Sequence, residues 1–250
     1  MVLSSILKII LRLIFLTNLS NMKNRYDDNI REANQLILDL TPGNVDLRLM
    51  LAFELAEKLK GKSDYKIIEL GCGEGDLTKY LFKIIPDIQL EALDISPEML
   101  SSAKENLKGH ADQIVFIESD AEDFLEKGGD NTYDFILSAW TIHNFPWTEK
   151  EKVFRRIFAS LKTGGTMLLM DKVYVDDPIE TQLSYDMQMK RYQKLGDAVR
   201  DDMLKHEVQD FSLDYRMSET QTKEVLGKIG FKDFEVIDRV GRDVVISVTK

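Results

Sequence analysis

The chain has 250 residues, of which 44% are apolar and 30% charged, and this composition suits one compact domain with a buried core. Its formal net charge of −10 excludes a general attraction to polyanions, so nucleic acid is not expected as a partner. Its single cysteine, Cys72, excludes an internal disulfide bond and a multi-cysteine metal site. We therefore predict a cytoplasmic protein without a bound metal.

Residues 1–25 differ from the rest of the chain, because four cations are their only charged residues: Lys8, Arg12, Lys23 and Arg25. The apolar run at 6–16 is shorter than the roughly 20 residues of a membrane-spanning helix, so no stable membrane insertion is expected. Four interpretations stay open for this segment. It can be a signal peptide, an interfacial anchor, a helix packed on the domain, or an extension upstream of a start at Met22.

From residue 26 to residue 250 we predict a single domain with alternating strands and helices. An apolar helical pattern precedes Gly61 and is followed by five strand patterns, at 66–70, 89–95, 114–118, 133–140 and 166–173. Helical patterns at 77–85, 97–107 and 150–161 separate them. Two short β-rich runs, 234–238 and 243–248, then predict an antiparallel hairpin. The fold class is α/β, a doubly wound, seven-stranded, mostly parallel sheet that ends in a hairpin.

The stretch IIELGCGEGDLTKYL, residues 67–81, places three glycines between the first strand and its following helix. Gly71, Gly73 and Gly75 allow a sharp turn that brings backbone N–H groups close to a ligand, and Glu69 can accept from an ammonium group. Such a triplet also occurs in a simple tight turn or in another nucleotide loop.

Two acids follow at the ends of the next strands. Asp94 closes the second strand, near the offset at which an acid accepts from ribose hydroxyls, and Asp120 follows the third strand, where an adenine amino group can be read. Each acid alone is compatible with a helix N-cap. Together they predict a nucleoside pocket.

With these motifs, residues 66–250 resemble the class I S-adenosylmethionine-dependent methyltransferases, which have a Rossmann-like fold. The acid-x-Gly-x-Gly-x-Gly pattern and the final hairpin distinguish this family from nicotinamide-dependent oxidoreductases. The segment from Phe135 to Val173 resembles small-molecule-type members labelled as tRNA wobble-uridine methyltransferase-like. The resemblance implies S-adenosylmethionine as cofactor, with S-adenosylhomocysteine as product. It implies cofactor contacts from the turn and strand ends, at Glu69, Gly71, Cys72, Gly73, Gly75, Asp94, Ile95, Met99, Asp120, Ala121, Ser138, Ala139 and Trp140.

The expected chemistry is methyl transfer to an O, N, S or C atom of a small-molecule acceptor by in-line displacement. His143, in the turn after the fourth strand, is the candidate general base, although it can equally bind the cofactor or a loop carbonyl. A helical lid is predicted at about 177–215 and can instead be a helical pair that only stabilises the fold. Substrate contacts are predicted at Tyr26, His143, Asp171, Arg191 and Tyr192.

Three other functions stay open from the sequence. They are synthesis of carboxy-S-adenosylmethionine, tRNA modification, and a non-catalytic adenosylmethionine-binding module. The basic residues Lys150, Lys152, Arg155 and Arg156 can form a local patch, but they are more typical of a solvated helix face. The chain is expected to be a monomer or a homodimer.

Overall fold

The computed structural model describes residues 47–250, apart from the side chains of residues 197–199 and 202. Within this range the strands are β1 (Ile67–Leu70), β2 (Leu90–Asp94), β3 (Ile114–Glu118), β4 (Tyr133–Ala139), β5 (Leu161–Tyr174), β6 (Met217–Ser218), β7 (Lys232–Val240) and β8 (Asp243–Thr249). The helices are α1 (Leu47–Leu59), α2 (Asp76–Ile84), α3 (Pro97–Asn106), α4 (Ala121–Gly128), α5 (Trp147–Ser160), α6 (Pro178–Tyr192), α7 (Asp197–Phe211) and α8 (Glu219–Ile229). The segment 1–25 and Tyr26 lie outside the described residues.

The strands form one sheet in the order β3-β2-β1-β4-β5-β8-β7, and the two-residue β6 pairs with β5 off this path. Strands β1 to β5 run parallel, whereas β8 is antiparallel to both β5 and β7. The predicted fold class, with seven main strands and a terminal hairpin, is confirmed. None of the helices between residues 47 and 250 has the length and apolar character needed to cross a membrane.

The sheet is buried on both faces, which explains the near-continuous apolar runs of its parallel strands. One apolar cluster joins α1 and α2 to alternate residues of the central strands, and a second cluster joins α5 and α8 to the residues between them. In β4, for example, Leu137 belongs to the first cluster and Ile136 to the second. The strand order changes direction between β1 and β4, so a crevice is expected at the carboxyl ends of these strands.

Local sequence accounts for the helix starts that border this crevice. The Ser96 hydroxyl accepts from the Met99 amide at the start of α3, and Pro97 occupies the first turn. The Asp120 carboxylate accepts from two amides at the start of α4. Helices α4 and α8 were not predicted from the sequence. Helix α4 is only eight residues long and buries only Ala121 and Leu125, so its apolar periodicity is weak.

Helices α6 and α7 occupy most of the segment predicted as a lid, and they follow the end of β5. Helix α7 is joined to the sheet by two buried ion pairs. Glu207 pairs with Arg242 in the β7–β8 turn, and Asp210 pairs with Lys172 of β5. Glu207 and Asp210 therefore face the carboxyl end of β5, beside the loop that carries His143.

Candidate active site

The glycine turn between β1 and α2 uses its three glycines differently. All three have positive φ, between 52° and 84°, a conformation that L side chains rarely adopt. A Cβ on Gly71 would lie 2.2 Å from Thr141 Oγ1, and a Cβ on Gly75 would lie 2.5 Å from Leu107 Cδ1. A Cβ on Gly73 would meet no protein atom within 4 Å. Gly71 and Gly75 are thus required by packing, whereas Gly73 borders open space that a ligand can occupy.

Asp94, at the end of β2, is bonded directly to this turn. The Gly73 amide donates to Asp94 Oδ2 at 2.8 Å, and the Ser96 amide donates to Oδ1 at 2.9 Å. Each carboxylate oxygen has two lone pairs, so each can still accept a further hydrogen bond. The acid predicted to hold a ribose therefore lies against the glycine predicted to approach the ligand.

We expect Asp94→Ala to weaken the binding of S-adenosylhomocysteine by about 1–3 kcal/mol, because hydrogen bonds to a charged group are lost. Isothermal titration calorimetry measures this change, and the exposed Asp87 provides the control variant Asp87→Ala. Equal affinity of the wild type and Asp94→Ala would exclude Asp94 as a ligand contact.

The predicted adenine end of the crevice lies around the start of α4. Asp120 Oδ1 accepts from the amides of Glu122 and Asp123, at 2.8 and 3.1 Å, so this acid also serves as an N-cap. Ile95 and Met99 follow Asp94 and are 67% and 42% exposed. Exposed apolar side chains beside a polar strand end are suited to cover a flat ring, whereas Ala121 is buried.

Two residues of the turn are buried inside it. Glu69 is 1% exposed and accepts a hydrogen bond from the Thr78 hydroxyl at 2.5 Å. This bond links the end of β1 to the first turn of α2. Cys72 packs in the first apolar cluster, and burial raises the pKa of its thiol. The predicted cofactor contact of Cys72 is therefore corrected to its backbone, because its side chain points into the core.

Burial raises the pKa of Glu69 to about 8, the Thr78 hydrogen bond acts in the opposite direction, and Asp76 and Asp94 raise it further. The folded chain thus binds this proton more tightly than the unfolded chain does. This stabilisation is fully present below about pH 4.5 and is lost as the pH rises through about 8.

We expect the glutamate to make the melting temperature fall between pH 5 and pH 8, because its carboxylate is ionised in the unfolded chain and must take up a proton when it is buried. Glu69→Gln, which is similar in shape to the neutral acid, should make the melting temperature depend less on pH in this range. Differential scanning calorimetry measures the melting temperatures of the wild type and the variant at each pH. If the melting temperatures of the two proteins change with pH in parallel, Glu69 does not titrate in this range.

The end of β4 carries a polar group without a partner and an unusual backbone. The Ser138 hydroxyl is buried, and among residues 47–250 it has no hydrogen-bond partner. Ala139 is half-buried, and Trp140 has φ 49°, which is strained for a bulky residue. The Trp140 indole donates to Asp243 Oδ1 at 3.1 Å, and the Arg48 guanidinium lies 4.8 Å from its ring. Trp140 is thus held by the C-terminal hairpin, and its contact with the cofactor stays a prediction.

His143 lies in the loop after β4 and is held by the end of β5. Its Nδ1 is 2.6 Å from Asp171 Oδ1, and its amide donates to Asp171 Oδ2 at 3.1 Å. Its Nε2 is 3.9 Å from Asp210 Oδ2 of α7. Burial acts to raise the pKa of Asp171, but its interactions with His143 and the Lys172 amide outweigh this and hold it below its usual value. Asp171 and His143 therefore form a buried carboxylate–imidazole pair.

Lys150 does not lie on the solvated helix face predicted for it and its three basic neighbours. Its side chain is fully buried, and its ammonium group donates to the carbonyls of His143, Phe145 and Tyr215. Burial lowers its pKa to about 8, whereas the nearby carboxylates act in the opposite direction. Lys150 thus fixes the loop of His143, and the three remaining cations pair with Glu149, Glu151 and Glu126.

The predicted substrate contacts are only partly brought together. His143 and Asp171 are in direct contact, but Asp171 is fully buried, so we correct its role from a substrate contact to support of His143. Tyr192 is 5% exposed, and this burial excludes a direct contact without movement of α6. Arg191 is half-buried and donates to Gln188. No cluster of three metal-ligating side chains occurs between residues 47 and 250.

Sequence reasoning missed Asp210, Glu207 and Arg242. Each has its ion-pair partner at least 35 residues away, so no local spacing indicates the contact. The only local signal is that Glu207 and Asp210 are three residues apart and so lie on one face of a helix.

Comparison with known proteins agrees with this geometry. A family described as a methyltransferase domain matches residues 67–165. The malonyl-[acyl-carrier protein] O-methyltransferase 1 of Ilyobacter polytropus is 33% identical over 117 residues, which are 44% of this chain and 41% of that protein. The carboxy-S-adenosyl-L-methionine synthase of Campylobacter fetus is 25% identical over 85% of this chain and 88% of that protein.

A solved structure from Methanococcus maripaludis, described as an S-adenosyl-L-methionine-dependent methyltransferase, has the same fold. The TM-score is 0.59 at 20% identity, and the match covers 91% of this chain and 96% of that one. The chain spans less than half the length of the Ilyobacter relative. Residues 67–165 thus match a methyltransferase domain, and the described residues share the fold of this solved structure.

Proposed function

We propose that the chain transfers a methyl group from S-adenosylmethionine to a nucleophilic O, N, S or C atom of a small-molecule acceptor, with His143 as general base. The observation that carries this proposal is the 2.6 Å contact between His143 Nδ1, in the loop after β4, and Asp171 Oδ1 of β5. A buried carboxylate beside an imidazole is suited to orient it and to stabilise its protonated form.

The residues around the crevice fit the family's cofactor. Gly73 leaves space for close approach, the Asp94 carboxylate retains lone pairs for hydroxyl groups, and the buried Ser138 hydroxyl needs a partner. The carboxylate of Asp120 and the exposed side chains of Ile95 and Met99 support the proposal that a purine ring binds beside them. When bound, the cofactor supplies a methyl group already activated by its sulfonium.

The contribution of the protein is then to hold the acceptor in line and to take its proton. With Nδ1 of His143 donating to Asp171, Nε2 carries the lone pair that can accept a proton. Lys150 keeps the loop in place by binding three carbonyls, so the imidazole need not reorganise during the reaction. Helices α6 and α7 can exclude water as a lid, since they cover the same end of β5.

The experiment that tests this function is a screen of small-molecule acceptors with methyl-labelled cofactor, read by mass spectrometry of both products. A labelled acceptor together with S-adenosylhomocysteine supports the proposal. Cofactor binding without any product from the screened acceptors would favour the non-catalytic module.

A second candidate is synthesis of carboxy-S-adenosylmethionine. The match to the Campylobacter fetus carboxy-S-adenosyl-L-methionine synthase favours it, because that match extends over 88% of the relative. The same mass spectrometry separates the two candidates. With a carboxyl donor included in the mixture, a cofactor in which one methyl hydrogen is replaced by a carboxyl group would establish the second candidate, whereas transfer of the label to an acceptor supports the first.

We also infer a cytoplasmic location from the single, buried cysteine, and a monomer or homodimer as the assembly. Multi-angle light scattering of the purified full chain measures the assembly directly.

A further inference from the structure

A second cavity lies between the end of β5 and helix α6, apart from the glycine turn and the ends of β1 to β4. Its volume is about 380 Å³, within the range of small-molecule sites. Its walls include Tyr174, Thr181, Phe211, Arg216 and Ser218. None of the cofactor residues predicted from the sequence contributes to them.

One wall of this cavity is aromatic. The rings of Tyr174 and Phe211 meet edge to face with centroids 5.5 Å apart, and Tyr185 stacks on Phe211 at 4.1 Å. Burial raises the pKa of Tyr174, which accepts from Arg242, so its hydroxyl stays neutral and fixed in place. Tyr174 and Phe211 thus give the cavity an aromatic wall against which an apolar ring can pack.

The cavity is also lined by a cation, Arg216. Its guanidinium lies 4.9 Å from the Phe211 ring, and among the described side chains no carboxylate forms an ion pair with it. The acid in the wall, Asp176, is already bonded to the hydroxyl and the amide of Thr220. A guanidinium that lines a cavity and is not already paired with a carboxylate can bind one through two parallel hydrogen bonds.

We propose that this cavity binds a small planar aromatic carboxylate, with the ring against Tyr174 and Phe211 and the carboxylate on Arg216. The site does not depend on the methyl-transfer function, because it shares no residue with the cofactor crevice.

The test is an NMR titration of the full chain with benzoate, and with benzamide as its neutral counterpart. We expect benzoate to shift the signals of Arg216 and Phe211 and to bind at least about tenfold more tightly than benzamide, because only benzoate offers a charged acceptor. Arg216→Gln should lose about 10- to 100-fold in benzoate affinity. Arg155→Gln, at an exposed arginine paired with Glu151, should keep it.

Three results would overturn the proposal: no benzoate binding at millimolar concentration, equal affinity for benzoate and benzamide, or unchanged affinity of Arg216→Gln. If Arg216→Gln does not fold, the comparison of the two ligands on the wild type decides alone. S-adenosylhomocysteine is titrated separately, so failure of the cofactor site and failure of this cavity are distinguished.

Discussion

Gly73→Val is expected to abolish the binding of S-adenosylhomocysteine while the chain stays folded. A Cβ at this position meets no protein atom within 4 Å, so the valine projects into the space assigned to the ligand. The left-handed backbone, φ 52°, adds a strain of roughly 1–2 kcal/mol. Calorimetric titration measures the loss of binding, and circular dichroism measures the fold.

Gly164→Val is the matched control for this experiment. Gly164 also has positive φ, 77°, and open space at its Cβ, but it lies near the start of β5, away from the crevice. Both variants should lose similar stability, and only Gly73→Val should lose the ligand. Equal ligand affinity in the two variants would remove Gly73 from the site. Variants of Gly71 or Gly75 cannot make this distinction, because their side chains would clash with Thr141 or Leu107.

His143→Ala is expected to lower kcat by about 10²- to 10⁴-fold, the usual contribution of a positioned general base. Asp171→Asn should lower it as well, since it weakens the contact that orients the imidazole. The affinity for S-adenosylhomocysteine should change much less than kcat in both variants. Steady-state kinetics with an acceptor found in the screen, together with calorimetry, measure the two quantities.

His110→Gln serves as the control for this pair, because His110 stacks on Phe82 at the opposite end of β2 from the crevice. It should keep both kcat and cofactor affinity. If His143→Ala reduces kcat and cofactor affinity to the same extent, His143 binds the cofactor and is not the base.

The parallel sheet could be predicted well because its signals are local. Buried β-strands produce continuous apolar runs, and Gly71, Gly73 and Gly75 mark the first turn without reference to any distant residue. Asp94 could be predicted near this turn, because the ends of neighbouring parallel strands meet at one edge of the sheet, but its hydrogen bond with the Gly73 amide was not predicted.

The surroundings of His143 could not be predicted in the same way. Asp210 approaches the imidazole from a helix 67 residues away in sequence, and only tertiary packing places it there. Lys150 follows Glu149 and precedes Glu151, so its sequence context is that of a solvated helix face. In the folded chain the buried Lys150 ammonium group donates to three loop carbonyls, one of them on Tyr215. Hydrogen bonds of this kind leave no periodic signal in the sequence.

A calorimetric titration of the purified wild type with S-adenosylhomocysteine, with NADH titrated in parallel, tests the assignment of the cofactor directly. We expect saturable binding of S-adenosylhomocysteine at one site per chain and no binding of NADH. Binding of NADH alone, or of neither compound, would contradict the assignment of the Gly73–Asp94 crevice to S-adenosylmethionine.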